Sequence, residues 1–423
     1  MLLIVNRPQR FITSRRLAMW TYLKMAYRNL LRHRRRSALS ALALAIALAL
    51  LVFMAAFFKG EMRSSLEDTL RLSSGHLQVR DVDYDPDKAS VAWSYLIDKP
   101  FDVAQKIASL PPVRVATPRL FASGIVSVGQ DSRGVQIIGI DPASEANAPY
   151  RQGLVSGDFL TADDRNGILI GYPLAQSLGL QVGSSLNLLV NTAEGQVDEQ
   201  PFVVRGIFST GSSNYDKGIV LLPIAKAQTF SGAGDRASII FILLHDREQA
   251  QAAAAAITGA SYKVLTWQEM NELLVLVNDF SNAYITFLNL IILGVTVTVI
   301  VNTMLMAVFE RTREIGILSA LGMKSRQIIT LFLSEAALLA LGGVVVGLLV
   351  GSALSAYFGS VGIYFGDLGV SGMIFGDRIY PYLMLEDVLR LTITAFVITL
   401  LACYYPAQIA ARMEPVEALR AEK

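Results

Sequence analysis

Cysteine is almost absent: Cys403 is the single one in 423 residues, and it lies inside an apolar run. No disulfide framework can form, so any water-facing domain must rest on its own core. Histidine is nearly as scarce. His33, His76 and His245 are scattered without metal-ligand spacing, so no metal centre is expected. A phosphate-binding G-x-x-x-x-G-K-[ST] string is missing; the nearest stretch, Gly316 to Ser325, has five residues between its glycines and Met323 before Lys324. Serine, histidine and aspartate can be combined on paper, but none stands in a nucleophile-elbow context. Catalysis, a nucleotide site or a cofactor in this chain is therefore not expected. Charge is also low, at 17% of residues against about 25% in soluble proteins.

What replaces charge is apolar length. Hydrophobic residues make up 53% of the chain, and mean hydropathy is +0.45. The excess sits in four runs: Ala38 to Phe58, Phe280 to Phe309, Ile328 to Phe358 (with Glu335 its one charge) and Leu391 to Ile409. A bilayer core requires roughly 20 apolar residues in a helix, and a soluble core helix is the rival reading of each run. Four such runs in one chain favour membrane spans. Arg28, Arg32, Arg34, Arg35 and Arg36 precede the first run. Arg311, Arg313, Lys324 and Arg326 separate the second from the third, and Arg412 and Arg420 follow the fourth. Between the third and fourth, Asp367, Asp377 and Glu386 outnumber Arg378. The positive-inside rule then puts both termini and the middle loop in the cytoplasm of a multi-pass inner-membrane protein. The Arg28–Arg36 cluster could be read as RNA-binding, but a basic cluster abutting an apolar run reads as topology, and no nucleic-acid partner is expected.

The resulting division is a cytoplasmic N-terminus with an amphipathic interfacial helix (1–36) and a first span (37–58). A large extracytoplasmic domain with stalk helices (59–277) precedes a second span (278–309). A cytoplasmic helix (310–326), a third span (327–358), an outer loop (359–387), a fourth span (388–411) and a tail (412–423) complete it. Trp20, Leu23, Tyr27 and Leu30 recur at helical spacing, as an interfacial helix requires. No cleavable signal pattern is present, and Met19 is an alternative start to Met1 because 1–18 adds no patterned element.

The outer segment mixes strand and helix signals, giving an α+β domain. Strands are expected at Gly75–Arg80, Ile168–Ile170 and Ile239–Leu244. Hairpins are expected at Gly124–Val128 with Val135–Ile140, and at Leu186–Val190 with Phe202–Phe208 around the polar tip Asn191–Gln200. Phe101–Leu110, Pro173–Leu178 and the Ala-rich Glu248–Ile257 read as helices. Arg63–Leu72 and Gln268–Asp279 read as stalks continuous with the first and second spans, with no Gly/Ser linker between. In the third span, Gly343, Gly347 and Gly351 recur every four residues, either as a close-packing seam or as generic small-residue content.

Between the second and third spans, Phe309 to Lys324 reads FERTREIGILSALGMK. Its charged start, then Ile315, Leu318 and Leu321, then Gly322, predict a short amphipathic helix. Such a helix either docks in a groove of a soluble partner or merely lies at the interface. This loop resembles the coupling-helix motif of ABC permeases of the MacB, lipoprotein-releasing (LolC, LolE) and FtsX type. The ending Tyr405–Arg420 (YPAQIAARMEPVEALR) and the opening Ala26–Arg36 (AYRNLLRHRRR) resemble the same group's terminal signatures. Within it, Phe202–Gly211, Tyr215-Asp216 and Ile168–Gly183 look most like the lipoprotein-releasing branch.

The resemblance implies four membrane helices with a MacB-type α+β domain after the first. It also implies a dimer with a second permease copy or a paralogue, driven by a cytoplasmic ABC ATPase dimer that carries the ATP and magnesium. Carried over by position, Glu310 to Gly322 would meet the ATPase, with Arg311, Arg313 and Glu314 in polar contacts and Ile315 and Leu318 in the apolar groove. In the lipoprotein-releasing branch a cavity for a lipid anchor lies between the first two spans. Phe53, Phe57 and Phe58, with Phe280, Tyr284 and Phe287, would form its wall here; an interfacial aromatic belt is the other reading of those rings. The cargo implied is a lipoprotein or lipid, with a periplasmic carrier as a possible further partner. The tip Asn191–Gln200 is short and lacks the proline of the carrier-recruiting branch, so direct hand-off to a carrier is not expected of this chain. A MacB-like efflux mechanotransmitter and an FtsX-like regulator of an envelope enzyme are the alternatives, although FtsX-type inserts are smaller.

Overall fold

A computed structural model describes residues 9–32, 34–86, 88, 91–257, 262–366, 374 and 376–414, with side chains from residue 20 onward except at Asn282. Met1, His33, Asp367, Arg420 and the rest of the tail beyond Glu414 lie outside the described residues. Two compact units are present: Met1–Gly60, Phe280–Gly362 and Tyr380–Lys423 form one, and Glu61–Asp279 with Ile363–Ile379 form the other.

The first unit is helical. A helix at Gln9–Arg32 leaves Trp20 and Tyr27 exposed and Ala26 buried, the split an interfacial helix presents. Among the described residues, four helices are long and apolar enough to cross a membrane, and these are the spans. The first, Arg34–Thr69, overruns its apolar run at the outer end, and the second, Glu272–Glu310, begins ahead of its own. The third is Ser325–Val361, and the fourth, Leu385–Ala411, accommodates Pro406 near its end. Their shared core gathers Leu44, Leu48, Met304, Val308, Phe332, Ala336, Ala340, Ala395 and Cys403.

Small residues decide how closely the first and third of these helices approach. A Cβ built on Gly343 would stand 2.8 Å from the Ala41 carbonyl oxygen, on Gly347 2.7 Å from that of Ala45, and on Gly351 2.9 Å from that of Ala49. Three successive turns thus pack backbone to backbone. In lipid such contact replaces the hydrophobic drive between helices.

The second unit is built on a mixed sheet. Its strands are β1 (Leu77–Asp81), β3 (Val113–Val128), β4 (Asp131–Ile140), β5 (Leu154–Gly157), β6 (Gly167–Gly171), β7 (Ser185–Asn191), β8 (Val197–Phe208), β9 (Ile219–Pro223), β11 (Ile239–Leu244) and β12 (Tyr262–Thr266). β2 (Ile97–Asp98) and β10 (Arg236–Ala237) form a separate two-stranded ribbon. The large sheet runs β12-β1-β11-β3-β4-β9-β6-β8-β5, with β7 bridging β3 and β8. β4 is parallel to β9 and β6 to β8, and the other pairs are antiparallel. Both faces are covered. Ile137, Ile168, Ile170, Val220 and Leu222 face one core, while Ile138, Ile140, Leu169, Ile219 and Leu221 face another, as the two-residue period of a strand dictates. Helices Pro100–Ala108 and Ala250–Ala256 cover the β1–β11 region through Ala104, Ile107, Ala250 and Ala253.

Two local expectations need correction. The β3–β4 turn is only Gly129-Gln130, since Val128 already pairs with Asp131; Gly129 supplies the positive φ of 60° that so tight a connection uses. The stalk before the second span is not one continuous helix. Trp267–Met270 forms a separate turn, capped by Thr266 and Glu269 in a reciprocal box, and Asn271 leaves helical geometry at φ −123°. The Asn271 side chain donates to the Trp267 carbonyl at 2.8 Å, which satisfies a helix-terminal acceptor and holds the break.

Candidate functional site

The loop between the second and third spans folds as a helix, Thr312–Ala320. Gly322, at φ +94°, closes it: its N–H reaches the Ser319 carbonyl at 3.0 Å, and the Met323 N–H reaches that of Leu318 at 3.1 Å. This is a Schellman stop, for which glycine is the residue of choice. The following helix starts at once, with the Gln327 side chain accepting from the Lys324 N–H at 2.8 Å.

The structure redistributes the roles read from this loop. Ile315, expected on the outside, is only 4% exposed and packs with Val308, Ile328 and Phe332 inside the bundle. Leu318 is half-buried. The apolar side chains that stand free are Ile317, unremarked in the sequence, and Leu321, which is 80% exposed. Arg313 and Glu314 are exposed beside them. Residues 313, 314, 317 and 321 follow helical spacing, so they make one outward stripe.

Arg311 belongs to the inside as well. Its Nη1 donates to both carboxylate oxygens of Glu335, at 3.1 and 3.3 Å, and its Nε to Glu314 at 3.3 Å. The Arg311 and Glu335 side chains are 11% and 8% exposed. A lone carboxylate in a membrane helix is costly; here it is spent on fixing the root of the short helix to the third span. Glu310 acts alongside, accepting from Arg36 at 2.6 Å and so joining the second span to the start of the first. Both ion pairs line a cavity of ≈ 20 Å³ with Ser37, Ser40 and Thr303.

At the opposite ends of the spans the aromatic residues split into two groups. Phe53, Phe57, Phe58 and Tyr284 come together: the Phe57–Phe58 centroids lie 5.5 Å apart and Phe58–Tyr284 6.3 Å. Phe358 of the third span joins them 5.7 Å from Phe53, with Tyr357 beyond it. Phe280 and Phe287, in contrast, are 66% and 61% exposed. The Phe358 contribution was missed because nothing in a local reading ties residue 358 to residue 53. Around this cluster, the Tyr382 N–H donates to the Ala56 carbonyl and Lys59 pairs with Asp387, both closing the outer end of the bundle.

Residues 37–260 match the MacB-like periplasmic core domain, and residues 286–415 match the FtsX-like permease C-terminal domain. The chain belongs to the MacB/FtsX-type ABC permeases. Among its relatives is the lipoprotein-releasing system transmembrane protein LolC of Neisseria meningitidis serogroup B, 25% identical, covering 73% of this chain and 79% of LolC. Another is the macrolide export ATP-binding/permease protein MacB of Rhodospirillum rubrum, 30% identical over 95% of this permease but only 60% of that protein. Among solved structures, the periplasmic region of MacB from Actinobacillus actinomycetemcomitans covers 48% of the permease at 15% identity and a TM-score of 0.34. The permease is a multi-pass membrane protein whose mixed α+β periplasmic domain follows its first span, and an ABC permease works with an ATPase.

Proposed function

We propose that this permease couples ATP hydrolysis by a separate cytoplasmic ATPase dimer to the release of a lipoprotein or lipid from the outer leaflet of the inner membrane. The observation carrying the reading is the ring cluster of Phe53, Phe57, Phe58, Tyr284 and Phe358, drawn from three spans at their outer ends. Apolar rings at that depth suit acyl chains, whose burial contributes about 0.8 kcal/mol per methylene. The likeness to LolC supports the same cargo class. On the inner face, Leu321 and Ile317 form the apolar centre and Arg313 and Glu314 the polar edge of the surface offered to the ATPase. Magnesium and ATP would sit in that partner. A second permease copy or paralogue completes the pair, with both termini in the cytoplasm.

A MacB-like efflux reading has its own support, since the Rhodospirillum relative matches over 95% of the permease. Lipopeptide-stimulated ATP hydrolysis by the purified complex separates the two. Phe57→Glu should remove stimulation by a diacylated lipopeptide and leave assembly intact. Leu321→Asp with Arg313→Glu should prevent the ATPase from co-purifying at all. Stimulation by a soluble peptide or macrolide, unaffected by Phe57→Glu, would favour efflux.

A further inference from the structure

The first span does not end on water. Its helix passes into a wider turn at Leu70–Ser74, where the Gly75 N–H reaches back to the Leu70 carbonyl at 3.0 Å. The last carbonyls of a helix have no partner within it, and here side chains of the sheet and of two short helices, Ala148–Gln152 and Ser213–Asp216, supply their donors. The Leu72 oxygen accepts from Arg119 Nη1 at 2.9 Å. Tyr215 Oη and Tyr150 Oη lie 3.3 and 3.4 Å from it and 2.6 Å from each other, so one hydroxyl gives its proton to the other, which donates to Leu72. The Ser73 and Ser74 oxygens accept from the Gln78 amide at 3.1 and 2.8 Å. Gln78 is held in turn by Arg80, whose Nε and Nη2 donate to its Oε1 at 2.9 and 2.7 Å. Gly75, at φ +68°, lets the chain pass the sheet: a Cβ there would stand 2.9 Å from the Ile242 carbonyl oxygen.

Arg119 is the unusual member. It is 0% exposed, in the middle of the sheet, opposite Ile239 on one side and Ile140 on the other. Guanidinium stays charged in any protein environment, and burying a cation is unfavourable unless it is compensated. Its described partners are the Leu72 carbonyl and the face of Phe241, 3.7 Å from its carbon centre, rather than a carboxylate. Both suit a cation: the C-terminal end of a helix carries partial negative charge, and so does a ring face. A leucine or methionine would fill the same volume without that requirement. The charge makes sense as a grip on the helix end.

We infer that Arg119, with Tyr150 and Tyr215, is a positioning clamp that makes the end of the first span rigid with the periplasmic sheet, so that displacement of the span is delivered to β3, β4 and β11 instead of being absorbed in the Leu70–Ser74 turn. The force path rests on the ATP-driven reading above; the clamp itself does not.

Two measurements on full-length permease test it. In hydrogen exchange, Arg119→Met should raise the exchange rate of the Gly75 amide and its neighbours in 70–75 at least tenfold while β6 and β9 stay protected. Arg119→Lys should restore part of the protection. Should Arg119→Met fail to fold, the Tyr150→Phe/Tyr215→Phe pair, which removes only the two hydroxyls, should still give a severalfold rise. Wild-type protection in these variants would overturn the clamp. For the force path, spin labels at Val197→Cys and Leu385→Cys, in a Cys403→Ala background, report distance in the complex with its ATPase. Addition of a non-hydrolysable ATP analogue should shift that distance in the otherwise unchanged permease. In Arg119→Met the shift should be lost, with ATP hydrolysis retained and Arg119→Lys partly rescuing it. A full shift in Arg119→Met overturns the force path. Absence of any shift with Arg119 in place overturns the ATP-driven reading and the force path together, while the exchange result still decides the clamp.

Discussion

His76 shows how a single half-buried group ties the periplasmic domain to pH. Its Nδ1 accepts the Leu244 N–H at 2.9 Å, which requires a neutral ring. Burial, reinforced by the nearby Arg114 and Arg247, pulls its pKa from 6.5 down to about 4. Because the folded value lies below the ordinary one, His76 stabilises the fold fully above pH 6.5 and progressively less as pH falls through 4. Asp216 acts in the opposite sense. Burial raises its carboxyl from 3.8 to about 6 against the hydrogen bonds from Thr210, so its contribution is lost as pH rises through 6. The informative quantity is therefore the comparison between the wild type and His76→Gln. The variant's Tm should fall less between pH 6.5 and 4 than that of the wild type, and parallel curves would remove His76 from the account. At this scale the sequence was least readable. Arg119 and Glu335 are isolated charges in otherwise uncharged stretches, and their meaning comes from Leu72 and Arg311, which lie far from them along the chain. Ile315 and Ile317 differ only in which side of one short helix they occupy, and a repeat of apolar residues in a nine-residue helix does not settle that.

Elements were more legible, because their signals are periodic and local. Four apolar runs became four long helices, and Ile239–Leu244 is a strand over the same residues that its apolar run marked. The hairpin between β7 and β8 has its tip inside the polar stretch Asn191–Gln200. β9 and β12 went unnoticed. The first is apolar on both faces and lacks the alternation that marks a half-buried strand, and the second is short and mixed in character. The glycine seam is where element packing can be tested directly. Gly347→Ala places a methyl 2.7 Å from the Ala45 carbonyl oxygen, and overpacking of this kind destabilises by about 1–3 kcal/mol. Unfolding of the detergent-solubilised permease should show that loss for Gly347→Ala. Gly342→Ala, which meets open space, should behave as wild type. Equal stability of the two variants would mean the seam is not a tight contact.

At the scale of the molecule, α+β domain and spans were readable as separate bodies, but not which body owns the last outer segment. Ile363–Ile379, between the third and fourth spans, groups with the periplasmic domain. Asp377 makes the attachment. Its carboxylate accepts from the Ser213 N–H at 2.8 Å and the Ser213 hydroxyl at 2.6 Å, while its own N–H donates to the Gly211 carbonyl at 2.7 Å. Asp377 thus ties the segment between the third and fourth spans into the periplasmic domain. Asp377→Ala should make the 363–379 segment at least tenfold more sensitive to limited proteolysis without changing the cleavage of the β7–β8 tip. An unaltered rate would show that other contacts hold the loop.

The glycine spacing carries a geometric corollary. Four residues of helix advance about 6 Å, and the alanine carbonyls opposite the glycines recur at the same interval. Sliding one helix along the other by that distance would bring most of the notches over a new carbonyl, so the interface repeats itself and has no intrinsic zero mark. Vertical alignment must be set by groups that do not repeat, such as the Phe53–Phe358 ring contact.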